Sequence, residues 1–372
     1  MKSWSILPRD GALFRDARPF TGTAGAFSMP MPWPSTVAGF ARSRIGMQPD
    51  GTFGLKPDDA RQIAVQGPWL AELTPDGQVG THLFPAPADA VFFPADAGHP
   101  NRLARRRIEL LDPPESDAWL SDLPKGLRLA GFRDLVSADP GKPATGPAFW
   151  TARALGEWLA RPTTADEVDA SALGIPALDE DERIHVAIDP DHQTASDGKL
   201  FSTVQRHFVR AENGTIRQFG LVCRTDRVTH HERMGEGPGT LGGERRLSLV
   251  HALPDDDVAL PLDDSISGPL LRIVLLTPGL FAEGFAPTRE LGERASVVGA
   301  CVPRFHAVSG WSFEHRGPKP SRRMAPAGSV YWLEFASASD ARAWAEESHF
   351  TCLASDAQDA RDGFGLIAVG NP

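Results

Sequence analysis

The sequence predicts an α+β fold of two related units joined through long loop insertions. Residues 3–160 read strand, helix, strand, strand, helix, and residues 328–369 read strand, helix, strand. Glycine (36) and proline (33) make up about 19% of the 372 residues and fall between short apolar runs, not in one tract. Average usage of the two is roughly 12%. That spacing places many loops on a rigid scaffold, where binding residues tend to sit.

"SWSILP" (3–8) reads as a short first strand. "PSTVAGFARSRI" (34–45) reads as a helix, because Val37, Phe40, Ala41 and Ile45 recur at helical spacing on one face. Ser35, Gly39 and Arg42 share the other face, and Pro34 or Ser35 starts the helix. "IAVQGPWLAEL" (63–73) and "VGTHLFPAPADAVFF" (79–93) flank the turn "TPDG" and read as a hairpin. "FWTARALGEWLA" (149–160) is a second amphipathic helix. This order is most of a split βαβ, ferredoxin-like unit.

The acidic, proline-containing stretch from Arg161 to Asp181 marks the expected boundary. It divides the chain into domains 1–180, with an insertion around 94–148, and 181–372, with glycine-rich loops. In the second, "RIHVAI" (183–188), "KLFSTVQRHFV" (199–209) and "IRQFGLVC" (216–223) read as strands, with the turn signal "NG" (213–214) between the last two. "RRLSLV" (245–250), "LLRIVLLT" (270–277), "ASVVGACV" (295–302) and "GSVYWLEF" (328–335) follow as strands. The helix "SDARAWAEE" (339–347) and the strand "FGLIAV" (364–369) close the chain.

Composition is that of a soluble globular protein, 41% hydrophobic and 23% charged. A net charge of −10 argues against bulk, sequence-blind adhesion to nucleic acid, yet leaves room for a local basic groove. Cys223, Cys301 and Cys352 have neither zinc spacing nor a disulfide pattern, which makes a reducing cytoplasm the expected location. No apolar run is long enough for a transmembrane helix, so no membrane partner is expected.

"GPGTLG" (237–242) fits G-x-G-x-x-G, but a charged loop precedes it and strand-like alternation follows, which argues against a dinucleotide site. It reads either as a glycine loop over an extended ligand, with Arg245 and Arg246 neutralising phosphate, or as a long turn with solvated arginines. "DPDH" (189–192) is ordinary turn chemistry. "HHER" (230–233) reads as a solvated loop, and neither segment predicts a metal. "RRR" (105–107) reads as a solvated basic face. "GFG" (363–365) is a tight turn around a buried Phe364 or a second ligand-facing loop. Trp33 is a base-stacking plane or a staple at the helix entry. Tyr331 is expected in the core. "DDDVALPLDD" (255–264) reads as an acidic surface loop. Neither a nucleophile elbow nor a P-loop occurs. "GPKPSRRMAPAGSVYWLEF" (317–335) joins a basic loop, stiffened by Pro318, Pro320 and Pro326, to an apolar strand. Lys319, Arg322 and Arg323, with Arg316 just before, make it a local phosphate or partner clamp.

"LFRDARPF" (13–20), "PWPSTVAGFAR" (32–42), "LFSTVQRHF" (200–208), "LGGERR" (241–246), "LLTPGLF" (275–281), "GWSFEHRGPKPSRRMAPAGSVYW" (310–332) and "GFGLIAVG" (363–370) occur in this order. The set resembles the third subunit family of the Cmr complex, the type III-B CRISPR effector, within the repeat-associated mysterious protein (RAMP) superfamily. Ala17 stands where that family usually has glycine, and 94–148 and 255–264 look like lineage-specific inserts. The resemblance implies two ferredoxin-like (RRM-like) domains packed together with long loop insertions. It implies a non-catalytic, antiviral RNA-binding scaffold that caps the repeat-derived 5′ tag of the CRISPR RNA (crRNA). It also implies docking to the large polymerase-like subunit and to the neighbouring backbone RAMP subunit. The candidate RNA contacts are Ser35, Thr36, Gly39, Arg42, Gly242, Gly243, Arg245, Arg246, Lys319, Arg322, Arg323, Gly363 and Gly365. No cofactor is expected. The competing reading is a metal-independent endoribonuclease processing precursor crRNA, with His185 or His207 as the base.

Overall fold

The computed structural model describes residues 1–372 except 17–26, 49, 96–97, 100, 113–121, 125, 134–140, 164, 213, 227–234, 255–258 and 313–316. The chain gathers into two compact units, each built from three segments. One comprises 1–81, 177–257 and 307–323, the other 82–176, 258–306 and 324–372, so neither is a continuous stretch such as 1–180 or 181–372. The architecture is mixed α and β, with mostly antiparallel sheets and few helices.

The first unit carries β1 (Lys2–Pro8), α1 (Pro34–Gly46), β2 (Val65–Leu73), β3 (Thr215–Thr225) and β4 (Arg246–Ala252). Its strands lie in the order β2-β3-β1-β4, every neighbour antiparallel. β1 is central, with Trp4, Ile6 and Leu7 buried and the Ser5 hydroxyl donating to the Gly77 carbonyl at 2.6 Å. α1 lays Val37, Ala38, Phe40, Ala41 and Ile45 against β2 and the strand Gly237–Leu241.

The hairpin turn at 74–78 forms as the sequence predicts, with the Thr74 N–H donating to the Gln78 carbonyl. Its second strand, however, does not take the place beside β1. β3 does, from far along the chain. The run Phe219–Cys223 is wholly buried, as a strand covered on both faces must be. A strand whose apolar and polar residues alternate cannot fill that position without burying its polar side.

The second unit carries β5 (Leu270–Leu275), α2 (Thr288–Leu291), β6 (Ala295–Cys301), β7 (Val330–Phe335), α3 (Ala338–Ser348) and β8 (Ile367–Gly370). The strand order is β6-β7-β5-β8, again antiparallel. Among these four strands of each unit the order is the same, second, third, first and fourth, and in the first unit the sheet continues beyond β2 to its hairpin partner Val79–Pro85. Leu271, Ile273 and Leu275 of β5, Tyr331, Leu333 and Phe335 of β7, and Ile367 and Val369 of β8 alternate onto one face. There they bury Ala341, Trp344 and Ala345 of α3. Ser337 caps α3 by accepting from the Asp340 N–H. Tyr331 is fully buried, as expected, and its hydroxyl donates to the Phe285 carbonyl.

The opposite face of β5 buries a charge. Arg272 and Asp89 are both fully buried, paired at 2.5 Å, and Arg272 also donates to the Trp158 carbonyl. The Trp158 indole N–H donates to the other Asp89 oxygen at 3.0 Å. "RRR" also turns out to be structural, not a solvated face. Arg105 is buried, pairs with Asp166 and lies 4.6 Å from the centre of the Trp158 ring. Arg107 is buried too. Alternation along the strand Arg102–Arg107 turns both inward.

Burial holds His349 below its ordinary pKa of 6.5. Its Nδ1 accepts from the Val369 N–H at 3.1 Å, and Nε2 lies 2.9 Å from the Leu260 carbonyl, which fixes the neutral tautomer with the proton on Nε2. A depressed histidine contributes stability that is present above its unfolded pKa and is lost as pH falls through the folded value. Denaturant unfolding will therefore show stability falling as pH drops below about 6.5, and the fall will shrink in His349→Gln.

Burial pushes all three thiols up to about 12, which keeps them unreactive. Among the described residues no helix is long and apolar enough to cross a membrane.

Candidate nucleic-acid interface

On α1, Ser35 and Thr36 are half-buried at the first turn, and Gly39 is exposed with open space around the position of a side chain. Arg42 is committed to the fold, since its Nε and Nη2 both donate to the Ile63 carbonyl, at 3.1 and 2.8 Å. Arg44, two residues past the expected set, donates to the carbonyls of Gly235, Glu236 and Pro238 and ties α1 to the glycine-rich strand. Trp33 is buried at the helix entry, which suits the staple reading better than a stacking plane.

"GPGTLG" is not a loop over a ligand. Gly237–Leu241 is a strand paired with β4. Its glycines serve close approach within the chain. A Cβ on Gly239 would sit 2.8 Å from the Phe40 ring, and one on Gly242 would sit 2.7 Å from the Leu13 carbonyl oxygen. The Gly243 N–H donates to that same oxygen at 2.7 Å.

Beyond this contact the hairpin turns back through Gly242 (φ +77°), Glu244 (φ +58°) and Arg245 (φ +53°). Two consecutive non-glycine residues in the left-handed region cost of order 1–3 kcal/mol each and persist only where the surroundings hold them. Arg246 is held by Asp10 at 2.9 Å and Glu244 at 2.5 Å. Arg183 pairs with Asp181 at 2.8 Å and reaches Asp10 at 4.0 Å. The hydrogen bond to Asp181 comes first in raising the Arg183 pKa above its ordinary value. His207 lies 3.6 Å from Asp181. Arg245 is exposed at the tip and has no partner among the described residues. Arg9 is exposed close by, its N–H bonded to the Leu247 carbonyl. The tip thus presents four guanidinium groups against three carboxylates. Arg9 and Arg183 escaped the sequence reading, because they lie far from the glycine motif in the chain.

In the same unit Lys319, Arg322 and Arg323 are exposed. The loop is pinned at Lys319, whose N–H donates to the Gly310 carbonyl and whose carbonyl accepts from the Ser309 hydroxyl. Arg322 and Arg323 lie on a short strand, Arg322–Met324, paired with His306–Val308. Arg316, "HHER", Asn213, the stretch from Ala17 to Phe20 and the start of the acidic loop at 255–258 lie outside the described residues.

Gly363 and Gly365 turn inward rather than to the surface. Both are buried in the second unit, around a buried Phe364. The Gly363 carbonyl accepts from the Thr277 hydroxyl, and a Cβ on Gly365 would sit 1.9 Å from the Leu353 carbonyl oxygen. The close approach that the small size of Gly365 permits is to the chain itself.

His185 stacks on Phe201 at 5.1 Å, and its Nε2 bonds the Thr203 hydroxyl at 2.9 Å. Asp189 accepts from the N–H groups of Asp191 and His192, as turn chemistry requires. Among the described residues no group of three or more His, Cys, Asp or Glu is placed to hold a metal ion. The ribbon of Glu180–Ile188 and Ala195–Arg206 shows Ile184, Val186, Ile188 and Leu200 to solvent on one face, a feature the sequence reading passed over although their period of two is visible in it.

The fold and this edge define a mixed α/β chain of antiparallel sheets with a cationic hairpin tip and a separate basic loop. The sequence profile of the family described as "CRISPR-associated protein (Cas_Cmr3)" matches residues 4–372, and the chain belongs to that family. The resemblance drawn from the sequence segments is thereby borne out along nearly the whole chain. No curated protein matches. Among solved structures, a chain of the type III-B Cmr-beta complex bound to cognate target RNA and AMPPnP is similar at 15% identity and TM-score 0.47, with 93% of this chain and 89% of that one covered. A chain of the Csm3-Csm4 subcomplex of the type III-A interference complex is similar at 11% identity and TM-score 0.35, with 91% and 94% covered.

Proposed function

We propose that the chain is a non-catalytic RNA-binding scaffold subunit of a type III-B CRISPR effector complex. It holds the repeat-derived 5′ tag of the crRNA, and it docks the large polymerase-like subunit and the neighbouring backbone RAMP subunit. Each unit is read as ferredoxin-like, which its strand order supports. Family membership supports the assembly. The observation that carries RNA contact is Arg245, an exposed arginine without a partner among the described residues, held in a left-handed backbone conformation at the hairpin tip. Strain that positions a free guanidinium beside Arg9 and Arg246 fits a phosphate clamp. Lys319, Arg322 and Arg323 supply further charge on a pinned loop, and a pinned loop loses less entropy on binding.

Arg245→Ala is expected to weaken tag-RNA binding by the assembled complex about 5–10-fold and to reduce the salt slope by ~0.7, the value for one phosphate contact on a single strand. Arg246→Ala will do less, because Asp10 and Glu244 already share its charge. Fluorescence anisotropy across a salt series measures both. Unchanged affinity and slope in Arg245→Ala would remove this clamp.

A further inference from the structure

The second unit contains a cavity of about 230 Å³ lined by Arg107, Glu109, Leu110, Arg128, Arg133, Leu270, Trp332 and Pro372. Its charged side is assembled locally. Glu109–Leu110 pairs with Ala130–Gly131, which sets Arg128 and Arg133 on either side of the ladder. Counting side chains, the lining holds three guanidinium groups and one carboxylate. Glu109 is engaged by Arg133 at 3.1 Å. Arg107 reaches it only at 4.0 Å, its one ion pair among the described residues. The Arg107 side chain is 9% exposed, and its Nε has no hydrogen-bond partner. Asp112 pairs with Arg128 from a largely exposed position.

We propose that this cavity is a binding site for a phosphate group carried on an apolar or aromatic moiety, as in a mononucleotide. A buried guanidinium with an unfilled donor favours an oxyanion, which accepts charge-assisted, bidentate hydrogen bonds. Burial first, then the like charge of Arg272, lower the Arg107 pKa to about 10, while Asp89 and Glu109 pull it back up and Arg133 adds a smaller repulsion. A bound anion would offset the burial of the guanidinium and the like charge of Arg272 and Arg133. The space exceeds what an oxyanion alone needs, and Leu110, Leu270 and Trp332 offer an apolar wall. Arg107 grips the phosphate from within, while Arg128 and Arg133 close on it from the mouth. This site is separate from the tag-RNA reading and does not depend on it.

Isothermal titration of the full chain tests the proposal with three probes: inorganic phosphate, AMP, and a triadenosine oligonucleotide with a 5′-hydroxyl. AMP is expected to bind saturably, more tightly than inorganic phosphate. Arg133→Ala, a change at an exposed side chain, should weaken it by about tenfold with the thermal midpoint of the chain retained. Arg107→Met should abolish it, and Arg245→Ala should leave it unchanged. Binding of the oligonucleotide alone, lost in Arg133→Ala, would support the site with an RNA phosphodiester as its source. No saturable binding of any probe up to about 10 mM, or binding unmoved by Arg133→Ala, would overturn the proposal.

Discussion

Replacing Asp89 with alanine is expected to lower stability by about 3–5 kcal/mol, because it strands a buried charge. Arg272 and Asp89 are both fully buried. The carboxylate accepts from Arg272 through one oxygen and from the Trp158 indole through the other. Without it, the guanidinium keeps the Trp158 carbonyl but loses its counter-charge. Trp158 in turn supports Arg105, stacked against its ring and paired with Asp166. Loss of the carboxylate therefore loosens the insert strand as well as β5. Denaturant unfolding followed by tryptophan fluorescence reads the change. Asp89→Ala combined with Arg272→Met should recover part of the loss, since replacing both ions with apolar groups removes the stranded charge. A loss under about 1 kcal/mol in Asp89→Ala would mean that solvent reaches the pair.

Gly365→Ala is expected to cost about 3 kcal/mol or more, in the range of severe backbone and packing defects. The residue sits at φ +72°, and an added Cβ would lie 1.9 Å from the Leu353 carbonyl oxygen, a backbone atom that cannot swing away. Its own N–H and carbonyl are bound to Pro278 and Leu353, both at 2.8 Å. The sequence reading placed this glycine against RNA. If its role is the crossing of two chain segments, the alanine variant lowers the thermal midpoint of the free chain without RNA present. A variant that unfolds like the parent, yet binds RNA poorly, would restore the earlier role.

Elements with strong local signals were legible in the sequence. α1 lies where the spacing of Val37, Phe40, Ala41 and Ile45 puts it. β7 and α3 follow the abrupt change from basic loop to apolar run. What failed was long range. The third strand of the first unit comes from Thr215–Thr225, beyond an insert that contributes mostly to the second unit. Local pattern carries no record of which strand pairs with which. Glycine is ambiguous for a related reason. The residue that lets a ligand approach also lets the chain approach itself, and Gly242 and Gly365 do the second. Arginine patterning was equally ambiguous, because Arg42, Arg105 and Arg272 serve the fold while Arg245 stays free among the described residues. Only partners brought in from elsewhere separate the two kinds.

Protein–RNA crosslinking with peptide mapping in the assembled effector complex tests the central claim most directly. Crosslinks from the crRNA tag are predicted on the hairpin tip around Gly242–Arg246 and on the basic loop Lys319–Arg323. Crosslinks confined to residues 94–148, with none at the tip or the loop, would contradict it.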